Sequence, residues 1–445
     1  MSGASPLPVV DPAALDDDAL LERLQRHAFD YFLRHSSPHN GLVADTSRPG
    51  SHSSIAAVGF ALSAYPVAVA RGWITRDYAV QRTLAALRFF WRSDQSGSPE
   101  STGCHGFYFH FLHMDSGTRA WSCEVSLIDS ALLLAGMLTA AAYFTAASPA
   151  ETELRELAQA LYRRVDWRWA QPDGAAVVHG WKPEGGFLNY GWEGYSEAIL
   201  LYVLGLGSPS HPLTGASFKA WTLTYQWENL YGYDFLYAGP LFIHQFSHAW
   251  IDFRGIRDGF MREKHCDYFE NTRRATYVQR EYAIRNPHSF AGFSEHCWGL
   301  SAGDGPSVAP QNVAGQRQAF YGYAARGVPY GPDDGTISGS AVLSSLAFAP
   351  EIVLPAVRAL LARDPKGAAR ALHASGFNAT ARAPETPPEG WFSEGEFGLD
   401  QGMIVLMIEN FRSGLLWRLL RSSTYLRCGL QRAGFRGGWL AGRAP

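Results

Sequence analysis

Apolar side chains recur at three- and four-residue spacing along most of this chain, with few stretches of strict alternation, and that spacing constrains the fold most. Such spacing paints a stripe on a helix, while sheet strands need a period of two. Leu20, Leu21, Leu24, Ala28 and Leu33 follow the acidic run Asp16-Asp17-Asp18, so a first helix is predicted to start there. Further helices are predicted over 55–70, 76–91, 125–144, 151–165, 197–206, 241–253, 268–284, 337–348, 351–362 and 401–420. Arg71-Gly72, Gly207-Ser208-Pro209, Gly239-Pro240, Asn286-Pro287 and Ala349-Pro350 punctuate the joins. The pattern predicts an all-α chain, with no large sheet and no short sequence repeat of the solenoid kind.

The 445 residues would allow two or three domains, yet nothing between 16 and 425 reads as a linker. One domain over 16–425 is expected, with a flexible start at 1–15 and a loose, Gly- and Arg-rich tail at 426–445. An apolar fraction of 47% beside 18% charged residues excludes wholesale disorder. With 38 basic and 41 acidic side chains and no basic block, neither a nucleic acid nor a membrane surface is an expected partner. Residues 130–150 carry no charge and could span a bilayer by length. Their Ala and Thr content, with Glu124 and Asp129 at one end, favours a buried helix instead. The five cysteines are far apart and odd in number, which suits a reducing compartment rather than a disulfide scaffold. The start MSGASPLPVVDPAALDDD has neither a basic n-region nor an apolar h-region. A cytoplasmic location is therefore expected for the chain as given, or a periplasmic one if the true start lies upstream.

Aromatic residues make up 13% of the chain, including 14 Trp. Rings beyond the needs of a core commonly line a binding surface for something flat and partly apolar, such as a sugar face. A deep cleft lined by Trp121, Trp192, Tyr195, Trp250 and Trp298 is expected. The connections 105–121, 181–193, 290–334 and 383–400 concentrate Gly, aromatics, His and carboxylates, and are where function should lie.

Several residues could carry chemistry. Glu193 and Glu197 stand in GWEGYSEAILLYVLG, where Glu197 opens an apolar helix beside Trp192 and Tyr195. A carboxyl among rings is desolvated and can keep its proton near neutral pH, while the helix dipole alone also accounts for a first-turn acid. Asp400, ahead of an apolar helix in LDQGMIVLMIENFR, reads first as an N-cap, a role that still leaves one oxygen for a cleft. Glu409, three before Arg412, reads as half of a structural ion pair. Glu124 and Asp129 enter the uncharged run and need either a partner, such as Ser122 or Arg119, or a ligand. His244 and His248 share a helix face with Asp252, at zinc-helix spacing, but Gln245 stands where the glutamate would be. A polar lining fits them better than a metal, and no metal or other cofactor is expected. Gly299-Leu300-Ser301-Ala302-Gly303 matches the hydrolase elbow without its strand and helix, and the sequon at Asn378 means nothing without secretion.

The runs SSIAAVGFALSAYPVAVARGWITRD, GFYFHFLHMDSGTRAWSCEVSLIDSALLLAG, GYSEAILLYVLGLGSPSHPL, GPLFIHQFSHAWIDFRGIRD, DYFENTRRAT and LDQGMIVLMIENFRSGLLWR resemble the glycoamylase-like proteins. That group includes the bacterial endo-β-1,2-glucanases of glycoside hydrolase family 144. The resemblance covers about residues 28–420 and implies one (α/α)6 barrel of about twelve helices. It implies inverting hydrolysis of β-1,2-linked glucan or its oligosaccharides, with the family's acid matching Glu197 in GYSEA and a carboxylate on the opposite wall matching Asp400. It also implies polar substrate contacts at Glu124, Asp129, His244, His248, Asp252, Arg254 and Asp304. Trp192, Glu193, Tyr195, Trp298 and Gln401 complete the expected substrate-binding set. Ser196 replaces the usual Asn, and Gly303 stands where a bulkier residue is common. The missing export signal favours imported short oligosaccharides. A transglycosylase on the same barrel, a non-catalytic carbohydrate-binding protein and a zinc hydrolase are the competing classes.

Overall fold

Asp16 Oδ1 accepts a hydrogen bond from Ala19 N at 2.8 Å, so the acidic run caps the first helix as its sequence predicts. The computed structural model describes residues 15–442 apart from 173, 175 and 364–368. The expectation for residues 1–14 lies outside these. Among the described residues sixteen α-helices follow one another: α1 (Asp17–Arg34), α2 (Ile55–Ala70), α3 (Arg76–Arg92), α4 (Leu127–Tyr143), α5 (Pro149–Arg164), α6 (Ile199–Gly207), α7 (Gly215–Thr222), α8 (Leu241–Gln245), α9 (Gly259–Glu263), α10 (Tyr268–Arg285), α11 (Gly339–Ser344), α12 (Pro350–Ala362), α13 (Arg370–His373), α14 (Gly398–Arg412), α15 (Leu415–Arg421) and α16 (Thr424–Arg432).

The second helix has the predicted bounds, and most others lie within two residues of theirs. Two predicted helices are interrupted. The run 241–253 becomes α8 and a short 3-10 turn, Phe246–Ala249, and ends before Asp252. The run 401–420 breaks at Gly414, whose φ of +68° favours glycine. The tail is not loose as far as residue 442. Leu426, Leu430, Phe435 and Leu440 are buried, and Trp439 Nε1 donates to Asp252 O at 2.7 Å. Its apolar spacing was concealed by the Gly and Arg around it.

Helices α2 and α4 are buried on every side, which is why their sequences lack an apolar stripe. They cross almost backbone to backbone. A Cβ on Gly59 would stand 2.4 Å from Leu132 O, and one on Gly136 only 2.1 Å from Gly59 O. No helix among the described residues is long and apolar enough to cross a membrane. Around these two, α4 packs on α6, α2 on α14, α14 on α11, and α11 on α8. Ser247, just after α8, donates to Glu197 O at 2.9 Å and accepts from Leu200 N at 3.2 Å, tying that turn to α6. Further helices lie against these: α1 on α14, α5 on α4, α16 on α6, α10 on α8 and α12 on α11.

The sheets are minor and antiparallel, with strands of two to four residues. The largest, of five strands, pairs Phe109 with Val125. That register sets His110 beside Glu124, whose carbonyl accepts from His110 N at 2.9 Å.

Candidate active site

A cavity of about 500 Å³ lies where α2, α4, α6, α8, α11 and α14 begin. Each start contributes a lining residue: Ser54, Asp129, Glu197, Phe242, Ser340 and Asp400. Ser54, Ser126 and Ser338 cap their helices, with Oγ atoms accepting from Ala57, Asp129 and Ala341 N. Asp400 is not a cap. The cap position of α14 belongs to Phe397 and Asp400 is the third helical residue, so its carboxylate is free to turn into the cavity. There Ser340 Oγ donates to Asp400 Oδ1 at 2.8 Å, and Ser375 adds a second side-chain bond. Glu197 stands two residues ahead of α6.

Six carboxylates gather in or beside this cavity, and their partners divide them. His110 Nδ1 lies 2.9 Å from Glu124 Oε1, and its Nε2 lies 3.4 Å from Asp129 Oδ2. Burial alone would lower this histidine, but Asp129, Glu124 and Asp45 outweigh it and hold the ring up at about 9. Charged His110 thus donates to Glu124 and pairs with the charge of Asp129. Burial pushes the Glu124 carboxyl up, yet the His110 bond prevails and leaves it below its ordinary value. Asp304 is paired with Arg48 and accepts from Ser393 Oγ at 2.9 Å.

Glu197 and Asp400 form no ion pair among the described residues. Burial pushes Glu197 up to about 7, with the charge of Asp129 adding to it. Burial likewise pushes Asp400 up to about 7 against its serine bonds, with Asp45 and Asp304 adding. Asp45, on the same lining, is raised by burial to about 6. A cavity of this size is typical of small-molecule sites, and its three carboxyls without an ion pair among the described residues, Glu197, Asp400 and Asp45, can exchange protons near neutral pH.

The structure leaves several predicted residues off the cavity lining. His244 and His248 are buried elsewhere, with Nε2 of His244 donating to Ala238 O and that of His248 3.1 Å from Thr272 Oγ1. Burial lowers them to about 4 and about 3, so they are neutral core histidines rather than a polar lining. Asp252 is buried between Arg254 and Arg421, as a structural ion cluster. Both faces of the Gln401 amide are engaged by His373. Glu193 is exposed, Trp192 stacks on His179, and Tyr195 packs on His244 and Tyr268.

The cleft of five rings is corrected as well. Trp250 and Trp298 are wholly buried, and Trp121 is exposed against His52 and Phe111. Large rings in a helical protein fill the gaps between helices first, so their number overstated the binding surface. The rings that line the cavity are Phe111, Phe242, Phe246, Tyr323 and Phe397. Glu124 takes His110 as partner, while Arg119 turns to Glu184. Glu409 is structurally paired, but with Arg71 rather than Arg412. Ser301 Oγ accepts from Phe242 N and has no elbow around it, and Asn378 is buried with its amide donating to Asp334 O and Thr336 Oγ1.

Sequence reasoning missed Asp45, His110, Tyr323, Ser340 and Ser375. His110 and Tyr323 fall within connections already singled out, so a lone His among rings was a usable signal. Asp45, in the connection between α1 and α2 that was not singled out, offered none.

A helix-rich chain with these helix starts around a carboxylate-lined cavity belongs to the glycoamylase family, whose model, described as "Putative glucoamylase", matches residues 189–424. A crystal structure from Bacteroides uniformis with that description is 30% identical, covers 96% of this chain and 99% of its own, and superposes with a TM-score of 0.83. The endo-beta-1,2-glucanase from Chitinophaga pinensis, solved with sophorotriose and glucose, is 24% identical over 96% of this chain and 100% of its own, with a TM-score of 0.82. That likeness is one of fold. A curated relative, the exo beta-1,2-glucooligosaccharide sophorohydrolase (non-reducing end) of Parabacteroides distasonis, is 25% identical over 94% of this chain. The chain spans 58% of that relative's length.

Proposed function

We propose that the protein is a glycoside hydrolase acting on β-1,2-linked gluco-oligosaccharides with inversion, with Glu197 as the acid and Asp400 as the base. The observation that carries this reading is the pair itself: two half-buried carboxyls without cationic partners among the described residues, from helix starts some two hundred positions apart in sequence, on one cavity. Glu197 protonates the departing glycosidic oxygen, while ionised Asp400 activates water directly or through a substrate hydroxyl. Ser340 steadies the charge of Asp400. His110, held charged by Glu124 and Asp129, leaves those two as acceptors for sugar hydroxyls.

The β-1,2 linkage rests on the curated sophorohydrolase relative and on family membership. The scaffold we propose is a single-domain (α/α)6 toroid with α2, α4, α6, α8, α11 and α14 inside. Their packing order, the Ser247 tie between the turn after α8 and α6, and the shared cavity support it. Incubation with β-1,2, β-1,3, β-1,4 and α-linked gluco-oligosaccharides should release products from the β-1,2 series alone. Turnover of another series in its place would overturn the substrate assignment.

A further inference from the structure

Outside the cavity lining, three side chains from distant parts of the sequence bring ligand-type atoms together. His27 on α1, His373 at the end of α13 and Glu396 just before α14 each offer one such atom, all within 4.8 Å of one another. His27 Nε2 stands 2.8 Å from Glu396 Oε1, and the two imidazole rings lie 4.1 Å apart with a tilt of 40°. The second carboxylate oxygen of Glu396 faces Arg34 Nη2 at 3.5 Å. Ser47 N donates to Glu396 O and Glu396 N to Ser47 Oγ, each at 2.9 Å, and with a bridge between Ala374 and Glu396 they fix the loop against its neighbours.

The informative residue is His373. Gln401 Nε2 donates to His373 O at 2.8 Å, so the amide oxygen is the atom 2.9 Å from His373 Nδ1. An amide oxygen only accepts, and Nδ1 must therefore carry the proton. The other nitrogen, Nε2, is left with a bare lone pair. His373 is 1% exposed, and its buried Nε2 has no hydrogen-bond partner among the described residues. A buried acceptor without a partner is costly and needs an explanation. The His27–Glu396 pair by itself supplies none, since it satisfies only its own members. A ring held by an Nδ1–H bond to an amide, with Nε2 free, has the outer-shell arrangement of a metal-ligating histidine.

We propose that His27, His373 and Glu396 bind one divalent transition-metal ion of the zinc class, which ties α1 and α13 to the start of α14. Two imidazole nitrogens and a carboxylate oxygen suit zinc, cobalt or nickel, not magnesium or calcium, which take oxygen-rich shells. Tetrahedral ligands at about 2.1 Å lie about 3.4 Å from one another, so the cluster contracts modestly on binding. His27, with 40% of its side chain exposed, has room to follow. The site stands apart from the acid and base assignment, because its readout is metal content rather than turnover.

The test uses the full chain, stripped with chelator, dialysed and titrated with Zn²⁺, with Mg²⁺ and Ca²⁺ as separate arms. Calorimetry and elemental analysis should give one zinc per chain, with a higher unfolding temperature in zinc and no response to the other two ions. His27→Ala and Glu396→Gln should each weaken zinc binding by about 100-fold or more and abolish the thermal shift. His27 is half exposed, so its variant folds even if one at buried His373 does not. Cobalt should give the visible bands of a nitrogen–oxygen shell in the wild type and lose them in His27→Ala. Absence of saturable zinc binding, or equal binding in both variants, would overturn the proposal.

Discussion

Glu197 and Asp400 owe their character to what is absent around them. Glu124 and Asp129 share charged His110, and Asp304 has Arg48, while the proposed acid and base have no basic partner among the described residues. Both carboxyls therefore rest near 7, and the activity should follow a narrow bell close to neutrality. The limb that needs protonated Glu197 falls as pH rises through about 7, and the limb that needs ionised Asp400 falls as pH drops through it. The same shift costs stability. Glu197 keeps its proton in the folded chain up to about 7 but loses it near 4.5 when unfolded. The stability it contributes is complete below pH 4.5 and lost as pH rises through about 7. Glu197→Gln has no proton to lose, so its melting temperature should match the wild type at pH 4 and exceed it at pH 9, by on the order of 1–3 kcal/mol in stability. Equal melting temperatures at pH 9 would show that the carboxyl is not desolvated. The residues around Glu197 left a desolvated acid and a helix-dipole acid equally open, and the resemblance of GYSEA singled it out. Asp400 was misread as a cap because capping depends on one position, and spacing alone leaves the boundary of α14 uncertain by two or three residues.

Helix positions were legible wherever one face is buried and the other is wet, as in α1, α3 and α5, where acidic or Ser/Thr caps sharpen the start. The four- and five-residue helices α9 and α13 are too short for a period to be visible. In α2 and α4 no apolar stripe exists, and for α4 the reading rested also on the length and lack of charge of 130–150. What no spacing reveals is how closely those two helices approach. Gly136 would place a methyl 2.1 Å from the carbonyl oxygen of Gly59, a backbone atom that cannot rotate away. Gly136→Ala should therefore separate α2 from α4 and lower stability by about 1–3 kcal/mol, despite alanine's better helix propensity. Denaturant unfolding measures this, and a stabilised variant would contradict the packing. Both helices carry cavity residues at their starts, Ser54 and Asp129, so the variant should also weaken substrate binding.

Over the whole molecule, the two ends of the sequence are joined at α1 and α14. Glu409, 2% exposed, accepts from Gln25 Nε2 at 3.1 Å and Arg71 Nε at 2.8 Å, linking α14 to α1 and to the residue after α2. Arg412 returns to Asp18 and Glu22. The sequence suggested a Glu409–Arg412 pair because only neighbours are visible in it, whereas the actual partners lie more than three hundred residues away. Removing one member of a buried pair strands the other, so Glu409→Ala should cost about 3 kcal/mol, read by the denaturant midpoint. A loss below about 1 kcal/mol would mean the join is held by apolar packing alone. The starts of α6 and α14 share one cavity, and the proposed mechanism depends on their two carboxyls acting together. The most direct measurement follows the anomer released from a β-1,2-gluco-oligosaccharide by NMR, for the wild type, Glu197→Gln and Asp400→Asn. The account predicts that the wild type first releases the α-anomer. Each variant should lose about 10²–10⁴-fold in rate, with Glu197→Gln recovering on a substrate whose leaving group needs no proton and Asp400→Asn failing on both. Release of the β-anomer, or near-normal turnover by Asp400→Asn, would contradict it and move the base to Asp45, Glu124, Asp129 or Asp304.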